Sequence, residues 1–131
     1  MPKRLCCAKR STSITCSWLN PDVFEYFLNA KALICTSLWE DPGFVLIEAA
    51  MSNLTILSSN CKSGPEEIIG KNEKGGFLFE NNDIISLNKM FLNYFETDNQ
   101  IIYKKKIYAK KKIKKYSIFN HTRELNKILD L

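Results

Sequence analysis

The residues of this chain best suited to chemistry are two glutamates on either side of a backbone break. In SLWEDPGFVLIEAA, Ser37 to Ala50, Glu40 precedes Pro42-Gly43 and Glu48 follows it within an apolar segment. A helix starting near Phe44 offers unpaired backbone N–H groups and a partial positive charge, which suit a phosphate, and Gly43 allows a ligand close to the backbone. Carboxylates touching that phosphate would repel it. Their fitting task is to accept hydrogen bonds from neutral hydroxyls on either side, and sugars supply such hydroxyls. Taken alone, Glu40 would read as a solvated loop residue. Glu48 is harder to assign to solvent, because Val45, Leu46, Ile47, Ala49, Ala50 and Met51 surround it and a buried unpaired carboxylate is costly.

The elements that must hold these groups follow from periodicity and punctuation. Ala32 to Thr36 fits a strand buried on both faces, Glu40 to Gly43 a connection, and Phe44 to Met51 an interior helix. Leu54 to Ser58 is the next strand. Ser63-Gly64-Pro65-Glu66 matches an S-x-x-E capping box ahead of a short helix, Glu66 to Ile69, stopped by Gly70. Gly75-Gly76 turns the chain into a strand at Phe77 to Phe79. Asp83 then caps a helix carrying Ile84, Leu87, Met90, Phe91 and Tyr94 at helical spacing. A Lys-rich helix from Asn99 to about Lys115 and a last one from Phe119 to Leu129 complete the chain. Upstream, Asn20-Pro21-Asp22 predicts the start of a helix with an apolar stripe of Val23, Phe24, Phe27 and Leu28, ending near Asn29. Residues 1–19 show neither period and read as irregular.

Alternating strands and helices predict an α/β domain with a parallel sheet, of which three strands are visible and at least one edge is bare. In such sheets ligands bind beyond the carboxyl ends of the strands. The Glu40 to Gly43 loop lies there.

At 131 residues, 45% of them hydrophobic, the chain has room for one modest core. Its net charge of +5 is uneven: nine basic residues face twelve acidic ones up to position 100, and ten face two beyond it. Five cysteines, Cys6, Cys7, Cys16, Cys35 and Cys61, without CxxC spacing and with one histidine, suggest neither a disulfide framework nor a zinc site. No run approaches a membrane span. A reducing, cytoplasmic setting is the expectation.

EDPGFVLIE, with E-x7-E spacing across a Gly-Phe break, resembles the donor-site signature of the retaining glycosyltransferases of family 4 (group 1), which have the GT-B fold. TILSSNCKSGPEEIIG is similar to the family's next strand, loop and helix, GGFLFENND to a later turn and strand, and NPDVFEYFLNAKALICTS to the preceding helix and strand. The resemblance runs from about Asn20 to Leu92. It implies that residues 20–131 are part of a Rossmann-like donor-binding domain with Lys-rich helices, the C-terminal portion of a longer enzyme, and that residues 1–19 stand outside it.

By this resemblance Glu40 is the catalytic-site carboxylate that contacts hydroxyls of the transferred sugar, and Glu48 holds the ribose of the nucleotide. Backbone amides around Gly43, Phe44, Val45 and Leu46 face the diphosphate and sugar, and Ser63 and Gly64 stand at the pocket rim. The donor is a nucleoside-diphosphate sugar and the acceptor a glycan or lipid-linked molecule, as in surface polysaccharide assembly. No other cofactor is implied. The chain has no D-x-D, which leaves a metal-chelating nucleotide site unsupported.

The family's acceptor-binding domain and its basic pair that neutralises the leaving diphosphate have no counterpart here, and Lys3, Arg4, Lys9 and Arg10 do not match that pair by position. A separately encoded N-terminal domain would supply them. Glu66 and Glu67 read as residues of a capped helix and His121 as structural or exposed. YKKKIYAKKKIKKY reads as a solvated helix with Ile102, Ala109, Ile113 and Tyr116 inward. Peripheral attraction to an anionic inner membrane face stays open and ranks above nucleic acid. The reading from another class is a non-catalytic interaction module that keeps the donor-site half-domain and pairs its bare edge or basic tail with a partner.

Overall fold

The computed structural model describes the backbone of residues 6–10, 13–16, 23–41 and 43–129, with side chains from residue 23 onward. Its strands are β1 (Cys6–Arg10), β2 (Ser13–Cys16), β3 (Ala32–Cys35), β4 (Thr55–Ser59) and β5 (Gly76–Phe79). Its helices are α1 (Val23–Asn29), α2 (Phe44–Met51), α3 (Pro65–Ile69), α4 (Ile84–Glu96), α5 (Asn99–Ile113) and α6 (Ile118–Leu129), with a 3-10 turn at Lys114–Tyr116.

The sheet order is β2-β1-β3-β4-β5. β3, β4 and β5 are parallel, with Leu33 opposite Ile56 and Leu57 opposite Phe77. This is the α/β arrangement expected from the alternation of strands and helices. Apolar runs on β3 and β4 fit strands covered on both faces, and all five residues of β4 are buried.

The irregular reading of residues 1–19 is corrected at its centre. β1 and β2 pair antiparallel, and β1 pairs antiparallel with β3, closing the edge of the parallel strands. Strands of four and five residues mixing Cys, Ser, Thr and basic side chains carry too short a pattern to announce themselves. A hairpin this short is marginal alone, and its β3 pairing supplies a third strand. The remainder of that segment and the proposed helix start at residues 20–22 lie outside the described residues. At the other end of the sheet, β5 has no further strand beside it among the described residues.

Two apolar layers cover the sheet. Leu33, Cys35 and Ile56 meet Leu46, Ala49 and Ala50 of α2, Ile68 and Ile69 of α3, and Ala109 and Ile113 of α5 on one face. Ala32, Leu57, Phe77 and Phe79 meet Met90 of α4 on the other. The inward face expected for α5 is therefore the observed one, with Ile102 and Tyr116 half-buried. Of the two stripes expected on α1 and α4, Phe27 and Met90 are buried while Phe24, Leu28 and Ile84 remain exposed.

Close backbone approach fixes where β5 begins. A Cβ on Gly76 would meet the Ile56 carbonyl at 2.5 Å, so glycine is required there. Lys105 of α5 secures the same turn: its Nζ donates to the Gly76 carbonyl at 2.8 Å and to that of Glu73, 4.4 Å from the Phe77 ring centre. Burial pushes this amine below the usual lysine range, with Glu73 pulling the other way.

The capping box expected at Ser63 is not formed. Gly64 is the N-cap of α3, at φ 58, and offers no side chain to cap that helix. Glu66 pairs with Lys71 at 3.6 Å instead. Asp83 does cap α4, accepting from the Ile85 and Ser86 amides at 2.8 and 3.1 Å.

Candidate functional site

The loop between β3 and α2 crosses the carboxyl ends of the parallel strands. Gly43 is the N-cap of α2, at φ 73 and ψ 50, a left-handed conformation in which an L side chain is strained. Its carbonyl accepts from the Leu46 amide at 2.9 Å and the Ile47 amide at 3.4 Å, which starts the helix. Gly43 has no side chain with which to cap the first turn. The Leu46 amide is thus spent within α2, and the first-turn donors that a helix leaves over are those of Gly43, Phe44 and Val45.

The burial of the two glutamates reverses what their sequence neighbours suggest. Glu40 is only 1% exposed, whereas Glu48 is half-buried. Glu40 turns back under the break: a Cβ placed on Gly43 would sit 3.7 Å from Glu40 Oε2 and 3.3 Å from Leu46 Cδ1. The Cys35 thiol lies 3.6 Å from Glu40 Oε1 and 3.5 Å from Ser37 Oγ. Glu48 escapes burial because α2 packs through Leu46, Ile47, Ala49 and Ala50, leaving Phe44 and Met51 exposed and Val45 half-buried. A helix apolar nearly all round is therefore not covered all round.

Two cysteines that no local pattern places here lie near Glu40. Burial pushes the thiols of Cys35 and Cys61 up, and the negative charge of Glu40 adds to this, while hydrogen bonding with the Ser37 and Ser59 side chains respectively opposes it. Strand alternation could have put Cys35 on the same face as Leu33; nothing in the sequence pointed to Cys61. Ser59, at the end of β4, donates to the Ser37 carbonyl at 2.5 Å and ties the loop to the sheet.

The two rim residues sit apart from one another in exposure. Ser63 is exposed, at φ 65, and Gly64 is buried. Ser63 opens onto a separate groove of about 530 Å³ between α3 and α5, lined also by Glu66, Glu67, Lys71, Tyr108 and Lys115. A further cleft of about 260 Å³, unforeseen from sequence, lies at the ends of β3, β4 and β5 on the α4 side. Among the described residues no cluster of His, Cys, Asp and Glu could hold a metal ion, and no helix is long and apolar enough to cross a membrane.

The family model described as glycosyl transferases group 1 matches residues 11–116. That match begins before the Asn20 boundary of the resemblance and runs past Leu92. An uncharacterized glycosyltransferase of Methanocaldococcus jannaschii is 37% identical over 46 residues, covering 35% of this chain and 11% of the relative. A glycosyltransferase from Rickettsia africae is similar in structure, with a TM-score of 0.69 at 20% identity, over 83% of this chain and 29% of that one. The C-terminal domain of a glycosyl transferase group 1 family protein from Francisella tularensis gives a TM-score of 0.60 at 23% identity, over 76% and 52%. These two likenesses concern the fold, an α/β sheet with flanking helices. The chain spans about a tenth to a half of the relatives it matches.

Proposed function

Because the chain belongs to the group 1 glycosyl transferases, we propose that its Glu40 to Glu48 segment grips a nucleoside-diphosphate sugar for retaining, family 4 glycosyl transfer. In this reading the diphosphate sits over the uncapped first turn of α2, against the amides of Gly43, Phe44 and Val45. Glu48 accepts from the ribose hydroxyls. Glu40 accepts from hydroxyls of the transferred sugar, which requires the loop over it to open, since the carboxylate is 1% exposed.

The observation that carries the reading is the left-handed Gly43 at an N-cap without a side-chain cap, with the Glu40 carboxylate packed beneath it. Anions favour such a helix start. The acceptor would be a glycan or lipid-linked molecule, and the groups that neutralise the leaving diphosphate and hold the greater part of that acceptor would come from a separate N-terminal domain. In such an enzyme Glu40→Ala lowers turnover and Glu48→Ala weakens donor binding.

Burial of Glu40 also favours a second reading, a binding module that keeps the donor seat without turning over. Backbone amide NMR of the labelled chain, titrated with uridine and guanosine diphosphates, tests the seat common to both. Shifts at Gly43, Phe44 and Val45 are expected. Shifts confined to the lysines of α5 would mark charge attraction alone and remove the seat assignment.

The exposed Lys104, Lys110, Lys111 and Lys112 of α5 support peripheral contact with an anionic membrane from a cytoplasmic position. Co-sedimentation with phosphatidylserine vesicles that falls with added salt is the corresponding result; no sedimentation would count against it.

A further inference from the structure

The cleft on the α4 side has a lining unlike that of a phosphate site. Thr36, Ser59, Asn81, Asn82 and Asp83 contribute hydroxyl, amide and carboxylate groups, and Leu38, Phe79, Ile84 and Leu87 contribute apolar surface. None of these side chains is basic. The one charged group is a carboxylate, and its Oδ1 is engaged in capping α4. An anion would therefore meet repulsion without a cation to offset it.

The cleft belongs to the sheet face opposite the seat on α2. Phe79 and Leu87 pack in the layer of α4, whereas Leu46 and Ala50 of α2 pack in the other. The β3–α2 loop serves both sides: Thr36 and Leu38 line the cleft, and Glu40 turns under Gly43.

Hydrogen bonds around the cleft hold its shape without using its side-chain amides. The Asn60 amide donates to the Phe79 carbonyl at 2.7 Å, and the Ser86 hydroxyl accepts from the Glu80 amide at 2.9 Å. By contrast, Asn81 Oδ1 is buried and has no hydrogen-bond partner among the described residues. A buried acceptor left this way is costly, and turning its amide into the cleft onto a hydroxyl donor would remove the cost. Leu38 and Ile84, 59% and 68% exposed, flank the opening as apolar platforms.

We propose that this cleft is a carbohydrate subsite, separate from the diphosphate seat, that holds one neutral sugar ring. Neutral donors and acceptors beside apolar surface suit a ring with hydroxyl edges and an apolar C–H face. A volume of about 260 Å³ lies just under the usual range of small-ligand pockets, roughly 300–1,000 Å³, which suits a single ring rather than a nucleotide sugar. Taken with the donor reading of the preceding subsection, on which this point rests, the ring would be the terminal residue of a glycan acceptor.

The test is amide and side-chain NMR of the labelled chain titrated with methyl α-D-glucopyranoside and methyl β-D-galactopyranoside. Saturable millimolar shifts at Thr36, Leu38 and Asn81 to Ile84, including the Asn81 side-chain amide, are expected for at least one glycoside. Asn81→Ala should weaken that binding by about tenfold, and Leu38→Ala, at an exposed position whose loss spares the core, should weaken it with the spectrum otherwise unchanged. No saturable shifts at the cleft, shifts only at Gly43 to Val45, or equal affinity in both variants would overturn the subsite. Uridine diphosphate titrated separately reports on the α2 seat, so failure of the donor reading is distinguishable from failure of the cleft.

Discussion

The Cys35 thiol lies 3.6 Å from Glu40 Oε1 at the end of the parallel strands, so the carboxylate proposed to meet the sugar is walled by a sheet residue rather than by water. Cys61, also buried, is close enough to the same carboxylate to feel its charge.

Reactivity of these thiols should be low in the folded chain. Burial raises both above the usual thiol range, and the thiolate is the reacting form. Alkylation by iodoacetamide near neutral pH, read by peptide mass spectrometry, should leave Cys35 and Cys61 unmodified until urea is added. Rapid native labelling of both would mean that the loop over Glu40 stands open.

Gly43→Ala should destabilise the chain. A non-glycine residue in the left-handed region costs about 1–2 kcal/mol, and the new methyl would meet Leu46 Cδ1 at 3.3 Å. The urea midpoint should fall with its slope unchanged. An unaltered midpoint would show that the break does not need this conformation.

The contact joining α3 to the end of α5 should make stability pH-dependent at both extremes. Hydrogen bonds from Lys115, 2.7 Å away, and then from Tyr116 hold the Glu67 carboxyl below its usual range. The unfolded chain thus binds more protons here, so this contribution is present above the unfolded carboxylate value and lost as pH falls through the lower folded one. Donation to the Glu67 carboxylate, chiefly, raises Lys115; its contribution is full below the ordinary lysine range and lost as pH rises through the raised value. With Glu67 53% exposed, solvent screening limits the contact to under about 1 kcal/mol. Urea unfolding across pH should show Glu67→Gln lacking part of the acid decline, and superimposable profiles would contradict the assignment.

How much of this was legible follows from the kind of signal each element carries. α2 was readable end to end from its apolar run, and α4 from Asp83 and its periodic face, because helical periodicity and cap chemistry are local. The hairpin of β1 and β2 was not, since pairing with β3 is a long-range fact. Ser63 matched a capping pattern yet Gly64 took the cap, as the positive φ at both residues directs the chain away from the box. The glutamate spacing was visible, but which of the two is buried depends on the loop folding back under Gly43. The α4-side cleft draws on three strand ends remote in sequence, and no local pattern announces that.

Calorimetric titration with uridine-, guanosine- and adenosine-diphosphate sugars measures the donor grip itself. Saturable binding of at least one donor by the folded chain is expected, weakened about tenfold or more, roughly 1.4 kcal/mol, by Glu48→Ala. Binding of none of them, or equal affinity in the folded Glu48→Ala variant, would contradict it.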